Sequence, residues 1–365
     1  MKIRNTPMLI GLAALLITWT VACSQGPAGT APEAERPQPP RMKMTTDIPA
    51  SITAPDSVET SIGTMNYFDG VPDEATVAKV YDYLDRSRAT EAFLNCIPAM
   101  SMYSIREGQR AFGIDASNKI IIYDNLLDSK ALWLTANTST MYAMGWLDLK
   151  RDGPTVIELP PRMLGILDDM AFHYMTDLGV AGPDKGKGGN YLILPPGYEG
   201  AVPAGYFVVR PKTYDAWVFM RASIEKGLAT AAKSVKDNLR IYPLARKDDP
   251  PKMEFISGSG KSFNTVHAND FQFYEELNHI IQREPLSLID LELRGLIASI
   301  GIQKGKPFEP DARTKELLTK AVAVGNATAR SISFSRRGSA PTSGAGTGGP
   351  TSRVASPPLR TRVSI

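Results

Sequence analysis

Three histidines, at positions 173, 267 and 279, are the chain's candidates for general acid–base chemistry. Asp169 precedes His173 by four residues, and on a helix this spacing lets a carboxylate orient an imidazole as a general base. His267 lies in the polar run of residues 264–270, where it can contact a ligand or a metal, since His and Asp are common metal ligands. A helix-surface or helix-packing pair is the simpler explanation of Asp169 and His173, and helix capping explains the polar residues after His267. A hydrolase-like enzyme, with His267 or the Asp169/His173 pair as base, is therefore one alternative, and no catalytic residue is assigned.

Signatures of the common catalytic and cofactor sites are missing from the sequence. It contains no HExxH zinc motif, no pair of CxxC motifs and no Gly-x-Ser-x-Gly nucleophile elbow. Residues 257–262 end like a phosphate-binding loop, but Phe255 stands where that loop needs a glycine, and an extended segment follows instead of a helix. We expect no nucleotide, no metal site and no cofactor.

Polar and aromatic residues beside predicted strands suit the recognition of a small ligand. Two such groups lie at residues 137–142 and 146–149, although ordinary cross-strand pairing also explains them. The glycine-rich residues 182–189 carry Lys185 and Lys187 and can hold an anion through backbone amides, unless the glycines only form a tight loop. The predicted ligand-binding residues are Asn137, Thr140, Tyr142, Asp148, Lys187, Tyr191, Asn264, His267 and Asp270.

The elements that must position these residues are predicted from apolar periodicity. Helices are expected from residue 73 and over residues 90–109, with Val77, Val80 and Tyr81 in a buried stripe, and four more follow residue 223. A further helix is expected over residues 163–178, and Asn269 is expected to cap a later one. Short β-favouring runs lie at residues 120–123, 132–134, 155–159, 190–194, 206–210 and 216–220.

These runs do not alternate with helices, so the sequence disfavours a doubly wound parallel sheet. We predict an α+β fold, in which an antiparallel Ig-like β-sandwich at about residues 110–222 carries an associated helical subdomain. A parallel pairing of residues 190–194 with residues 206–210 would contradict this prediction. Cys96, in an apolar segment, is expected to be buried and unpaired.

The N-terminal residues predict export and lipidation. The apolar run at residues 8–21 is short for a membrane span and typical of a signal peptide. The following Cys23 ends a segment that resembles a bacterial lipobox, with Thr20 where leucine is usual; an ordinary cleaved signal is the alternative. Residues 1–22 are therefore predicted to be a lipoprotein signal peptide and Cys23 to be acylated. Ser24 favours a cell-envelope location, at the outer membrane and facing the periplasm or the surface, with membrane contact through the lipid anchor.

Two segments outside residues 61–335 contain few apolar residues. Residues 23–60 predict a flexible tether, and residues 336–365 predict a disordered tail rich in Arg, Gly, Ser and Pro, or a frame-shifted reading of the gene. The net charge is +3, but without the arginines of that tail and the basic residues of the signal it becomes negative. We therefore expect no nucleic-acid binding, and the oligomeric state stays open.

Several separated motifs, in order, resemble the family called domain of unknown function 1254. They lie at residues 137–142, 147–149, 153–154, 160–161, 177–179, 182–191, 195–198, 259–261, 264–270 and 301–308. The resemblance covers about residues 60–335 and implies an Ig-like β-sandwich with associated helices, but no accepted catalytic residues. It also implies a C-terminal jelly-roll domain, domain of unknown function 1214, which we do not expect here because the chain leaves the family's pattern near residue 335. Our hypothesis is an envelope lipoprotein that binds a small ligand or a partner; the alternatives are the hydrolase-like enzyme and a truncated, non-functional product.

Overall fold

The computed structural model describes residues 49–133 and 136–335. The predicted signal peptide, Cys23 and the predicted tail at residues 336–365 lie outside the described residues. Residues 49–54 belong to the unit that ends at Ala54 and hold the short 3-10 helix Ala50–Ile52. The unit that begins at Pro55 combines helices with sheets, so the predicted α+β class is confirmed.

Six helices and thirteen strands make up the described part of this unit. The helices are α1 (Glu74–Ala111), α2 (Leu149–Asp152), α3 (Leu228–Asn238), α4 (Gln272–Arg283), α5 (Leu291–Ser299) and α6 (Ala312–Phe334). The first seven strands are β1 (Ser57–Thr60), β2 (Gly63–Phe68), β3 (Val71–Pro72), β4 (Lys119–Ile122), β5 (Thr140–Asp148), β6 (Thr155–Leu159) and β7 (Met163–Asp169). The others are β8 (Tyr174–Gly179), β9 (Gly189–Ile193), β10 (Phe207–Val209), β11 (Asp215–Ser223), β12 (Arg240–Pro243) and β13 (Glu254–Ser257).

Two sheets share one apolar core. The larger sheet has the strand order β13-β4-β5-β11-β7-β8, and the smaller has the order β10-β9-β6-β12. Side chains of both sheets meet in a buried cluster with the apolar face of α3, and this cluster includes Ile122, Met141, Ile157, Tyr191 and Val235. A three-stranded sheet, β1-β2-β3, precedes α1 in the chain.

The other face of the larger sheet packs against helices. Along β5 the side chains alternate, so Met141 and Ala143 enter the core between the sheets, whereas Tyr142, Met144 and Trp146 enter the helical core. Helices α1, α4, α5 and α6 complete that second core. Both faces of β5 are therefore buried, which accounts for its almost continuous apolar sequence.

One long helix, α1, replaces the two helices that the sequence predicts before residue 110. The predicted buried stripe is wrong for its first turns, because Val77, Val80 and Tyr81 are exposed, Tyr81 to 57%. Arg313, near the start of α6, pairs with Asp82 of α1. Helix α6 therefore begins to cover α1 only after these turns, and nothing else in the described residues buries their apolar stripe.

Residues 163–178 form the β7–β8 hairpin and not the predicted helix. Met163 and Leu167 enter the core between the sheets, a spacing of four that suits both a helix face and a strand face. Between them, a β-carbon on Gly165 would lie 2.7 Å from the carbonyl oxygen of Phe219. The close approach of β7 to β11 therefore requires glycine, a residue that disfavours a helix interior.

The expectation of purely antiparallel sheets is wrong at two edges. Strand β10 runs parallel to β9, with Phe207 opposite Tyr191, and β13 runs parallel to β4. The connection from β9 to β10 contains no helix, so the absence of β-α-β alternation in the sequence did not exclude a parallel pair. The remaining pairs in both sheets are antiparallel.

Three smaller expectations have mixed outcomes. The predicted strand at residues 132–134 is wrong for Leu132 and Trp133, which lie outside the strands. Phe271, and not Asn269, occupies the N-cap position of α4. Cys96 is buried as predicted, and burial raises the pKa of its thiol to about 12, so it stays protonated and unreactive.

No helix among the described residues has both the length and the apolar character needed to cross a bilayer.

Candidate functional site

The predicted ligand-binding residues fall into four groups that no hydrogen bond connects within the described residues. The first group builds the turn before β5. The side-chain oxygen of Asn137 accepts hydrogen bonds from Ser139 N at 3.0 Å and from the Thr140 hydroxyl at 2.8 Å. The hydroxyl of Tyr142, a buried residue, accepts a hydrogen bond from Asn137 N at 3.0 Å. These polar groups therefore hydrogen-bond to one another and form the turn that precedes β5.

The glycine-rich segment at residues 182–189 is organised by Asp184, a residue that the sequence did not single out. Its buried carboxylate accepts hydrogen bonds from Gly179 N at 2.8 Å, from Gly188 N at 3.1 Å and from the hydroxyl of Tyr191. Burial and this hydrogen bond raise the pKa of Tyr191. Lys187 is exposed. The segment thus holds an internal carboxylate where an anion site was predicted.

Asp148 belongs to a largely buried ion network at the end of β5. The guanidinium of Arg283 lies 2.7 Å from Asp148 and 2.6 Å from the buried Asp215. Arg106 of α1 also donates to Asp215. Burial alone would raise the pKa of Asp148, but the hydrogen bond from Arg151 N and the charge of Arg283 outweigh it and lower the pKa. This network joins the larger sheet to α1 and α4.

Glu284, directly after α4, is the most deeply buried acid beside this network. Its carboxylate accepts hydrogen bonds from Tyr214 N at 2.6 Å and Asp215 N at 3.2 Å. Burial and the neighbouring charge of Asp215 raise the pKa of Glu284 to about 7. Because these partners come from distant parts of the chain, no local pattern in the sequence indicates the network.

The residues of the fourth group lie before α4. The amide of Asn264 bonds to the backbone of Val266, and Asp270 accepts a hydrogen bond from Gln272 N at 2.9 Å. The ring of His267 packs edge-on against Phe93 and Phe273, with centroids 5.9 and 5.6 Å away. Its Nδ1 lies 2.9 Å from the carbonyl oxygen of Ala268. A ligand role for these residues stays a prediction.

Asp169 and His173 form the best-defined pair of acid–base groups. They are brought together by the tight turn between β7 and β8, and His173 Nδ1 lies 3.1 Å from Asp169 Oδ2. The other carboxylate oxygen accepts hydrogen bonds from Ala171 N and His173 N, both at 2.9 Å. Asp169 is buried, whereas the His173 side chain is 61% exposed. The carboxylate therefore orients an imidazole whose Nε2 is available to another molecule.

Two clefts meet at this histidine. The first, which we call the β8 cleft, has a volume of about 430 Å³ and lies between residues 174–176 and residues 208–212. The second, the α5 cleft, has a volume of about 370 Å³ and is lined mainly by apolar residues of α1, α4 and α5, including Leu277 and Ile297. His173 and Lys212 line both clefts. Volumes above about 300 Å³ are typical of small-molecule sites.

An unpaired acid lies at the end of β7, next to this turn. Asp168 is only 4% exposed and lies directly opposite Trp217 in the larger sheet, and its carboxylate has no hydrogen bond to another described residue. Burial, and then the charges of Asp169 and Asp177, raise the pKa of Asp168 to about 6. The consecutive acids Asp168 and Asp169 therefore differ in their hydrogen bonding, because donors contact only the carboxylate of Asp169.

Another cleft, of about 450 Å³, lies at the start of α6. Among its acids, Asp85 pairs with Arg313, Asp311 accepts a hydrogen bond from Thr314 N at 2.7 Å, and Glu309 has no partner in the described part of the chain. Among the described residues, no histidine or lysine lines this cleft. Within the described residues, no three His, Cys, Asp or Glu side chains are placed to hold a metal ion. The Asp169/His173 turn is therefore the candidate functional site.

Comparison with known proteins gives one family match. Residues 117–243, from just before β4 to the end of β12, match the family described as protein of unknown function (DUF1254), which confirms the resemblance seen in the sequence. No curated protein matches the chain. The solved structures it resembles include the VPA0106 protein from Vibrio parahaemolyticus, at 20% identity and a TM-score of 0.46. That alignment covers 68% of this chain and 59% of the other, so the chain spans about three-fifths of its length.

Proposed function

We propose that this chain, which carries the DUF1254 region in residues 117–243, binds a small ligand where the β8 cleft and the α5 cleft meet. The observation that carries the proposal is the exposed His173 imidazole, oriented by the buried Asp169 and shared by both clefts. The ligand places a hydrogen-bond acceptor or an acidic group against His173 and Lys212. Its apolar part lies against the α5 cleft.

The lining of the two clefts supports this division of the ligand. The α5 cleft contains Ala99, Leu277, Leu293 and Ile297, so an apolar group gains about 25 cal/mol for each Å² removed from water there. The β8 cleft contains more polar surface, including Thr176 and Arg210. A ligand with one polar end and one apolar end therefore fits better than one that is polar throughout.

Thermal shift with a library of metabolites, applied to the full-length chain, tests this proposal. A ligand present at 100 times its dissociation constant should add about 2.7 kcal/mol to the free energy of unfolding. His173→Ala should abolish the shift, whereas His279→Ala, a histidine whose ring contacts Tyr103, should keep it. If no compound stabilises the wild-type chain, or if His173→Ala responds as the wild type does, the proposed site is wrong.

A hydrolase-like enzyme is the second candidate, and the orientation of His173 by Asp169 favours it. A carboxylate-held imidazole can remove a proton from water or from a substrate hydroxyl, an effect of about 10²–10⁴ in rate. We expect His173→Ala and Asp169→Asn to lower the hydrolysis of p-nitrophenyl esters, and His267→Ala to leave it unchanged. Equal turnover in wild type and His173→Ala would remove this candidate.

The cellular setting and the finer fold class are also proposed. We propose an envelope lipoprotein, acylated at Cys23 and held at the outer membrane, whose two facing sheets form an Ig-like β-sandwich with two parallel edge pairs. The lipobox-like segment supports the first part, and the core common to both sheets supports the second. Labelling of cells with tritiated palmitate should mark the wild-type chain in the membrane fraction and should not mark Cys23→Ala.

A further inference from the structure

An apolar cavity beside α5 contains an unpaired cation. This space, which we call the Arg294 cavity, has a volume of about 230 Å³ and lies between the end of α4, the segment after it, and α5. Its wall includes Arg294, Ile281, Leu288, Ile297, Ile302 and Lys304. Arg294, Ile297 and Ala298 come to the same face of α5 because they are three and four residues apart.

The two cationic side chains of the cavity, Lys304 and Arg294, differ in their hydrogen bonding. The ammonium of Lys304 donates to the carbonyl oxygens of Ile281, Gln282 and Glu284, at 3.1, 2.9 and 2.6 Å, and so caps the end of α4. The guanidinium of Arg294 has no hydrogen bond or ion pair to any described residue; the side chain is partly buried, and its Nε is enclosed without a partner. The charge that lacks compensation at this cavity is therefore that of Arg294.

The nearby acids are not placed to compensate it. Asp290 caps α5 by accepting a hydrogen bond from Leu293 N at 2.7 Å. Glu284 accepts from two backbone amides on the side of the larger sheet. Buried donors in folded proteins almost always have a partner, and the exceptions need an explanation. A ligand that pairs with the guanidinium of Arg294 would supply one.

We infer that the Arg294 cavity binds a small apolar carboxylate. A guanidinium is the side chain best suited to hold a carboxylate, because its planar donors match both oxygens. An apolar cavity of about 150 Å³ can hold benzene, so this one accommodates a hydrocarbon body of that size together with the acid group. The carboxylate pairs with Arg294, and the body packs against Ile281, Leu288 and Ile297.

This site is independent of the proposed ligand at His173. The Arg294 cavity and the α5 cleft share four wall residues, Ile281, Leu288, Ile289 and Ile297. Neither His173 nor Lys212 reaches the cavity, and Arg294 does not line the cleft. Variants of the two sites can therefore separate them.

Calorimetric titration of the full-length chain with phenylacetate tests the inference. We expect one molecule bound for each chain. Arg294→Met should weaken binding about tenfold or more, which is the loss expected for one charge-assisted hydrogen bond. Ala298→Leu, which keeps the arginine and fills part of the cavity, should weaken it by a similar factor. His173→Ala should not change it.

Controls for charge use the ligand and a second arginine. Phenylacetamide, which has nearly the same shape without the charge, should bind at least about tenfold more weakly than phenylacetate. Arg330→Met, an exposed residue of α6, changes the net charge equally and should leave binding unchanged. Absence of binding at millimolar phenylacetate, equal binding of the amide, or full affinity in Ala298→Leu would each overturn the assignment, even if Arg294→Met failed to fold.

Discussion

Replacing Asp168 with asparagine is expected to stabilise the protein above about pH 6. The carboxyl of Asp168 is buried beside Trp217, has no donor among the described residues, and lies near the charges of Asp169 and Asp177. Each of these features disfavours the ionised form. An asparagine has nearly the same shape and no charge, so it resembles the protonated acid that the site prefers.

The sign and size of the effect follow from the two pKa values. The pKa of Asp168 is about 6 in the folded chain, against an ordinary value of 3.8. Between these values the folded state binds more protons than the unfolded state, so stability falls as the pH rises through this range. At 1.36 kcal/mol for each pKa unit the loss is at most about 3 kcal/mol. Because Asp168 is not completely excluded from solvent, we expect a change of about 1–2 kcal/mol.

Urea unfolding at pH 4.5 and pH 7.5 measures this difference. Asp168→Asn should gain about 1–2 kcal/mol over the wild type at pH 7.5 and much less at pH 4.5. Asp248→Asn, at an exposed position, is the matched control and should show no gain at either pH. An equal gain at both values would mean that charge is not the cause. A loss of stability at pH 7.5 would mean that Asp168 has a favourable partner.

Three further substitutions test residues that stabilise the structure around the predicted sites. Gly179→Ala should lower the free energy of unfolding, measured in urea, by more than about 2 kcal/mol. The reason is that φ of Gly179 is +81° and the new β-carbon would lie 1.9 Å from the Met163 carbonyl oxygen. A loss under about 1 kcal/mol would contradict this. Arg283→Met should cost about 3 kcal/mol at pH 7, since Asp215 loses one of its two cations, and a neutral result would show that the other suffices. Asp184→Ala removes three hydrogen bonds and should speed amide exchange in residues 182–189; unchanged protection would refute its organising role.

Secondary structure was predictable where the spacing of apolar residues fits only one kind of element. Asp311 begins α6 as an N-cap, and the later helices follow apolar stripes that fit only the helical period. Residues 163–178 carry apolar side chains four apart, which suits a strand face as well as a helix face, and contacts with β11 decided for the strand. The exposed stripe of Val77, Val80 and Tyr81 shows the opposite problem, because periodicity indicates a helix without saying whether another element covers it.

The candidate site was predicted only in part, since most of its partners are distant in sequence. Asp169 and His173 do meet, but in a tight turn between strands, because both a helix and a turn bring residues four apart together. Arg106 and Asp215 are separated by 109 residues, and Asp215 and Arg283 by 68. Only the arrangement of β11 between β5 and β7, with α1 and α4 on one face, brings such groups together.

The β7–β8 turn and the end of β7 contain residues whose conformation or burial lowers the stability of the fold. Phe172 has a φ of 64°, in the left-handed region, and its ring lies near Trp217 while the residue stays exposed. Asp168 is buried without a donor, yet the adjacent Asp169 receives two backbone hydrogen bonds and the imidazole of His173. A strained residue and an uncompensated acid persist only where the surrounding structure holds them, and such costs gather at functional sites. These costs lie at the point where the β8 cleft and the α5 cleft meet, and this position supports the binding site proposed there.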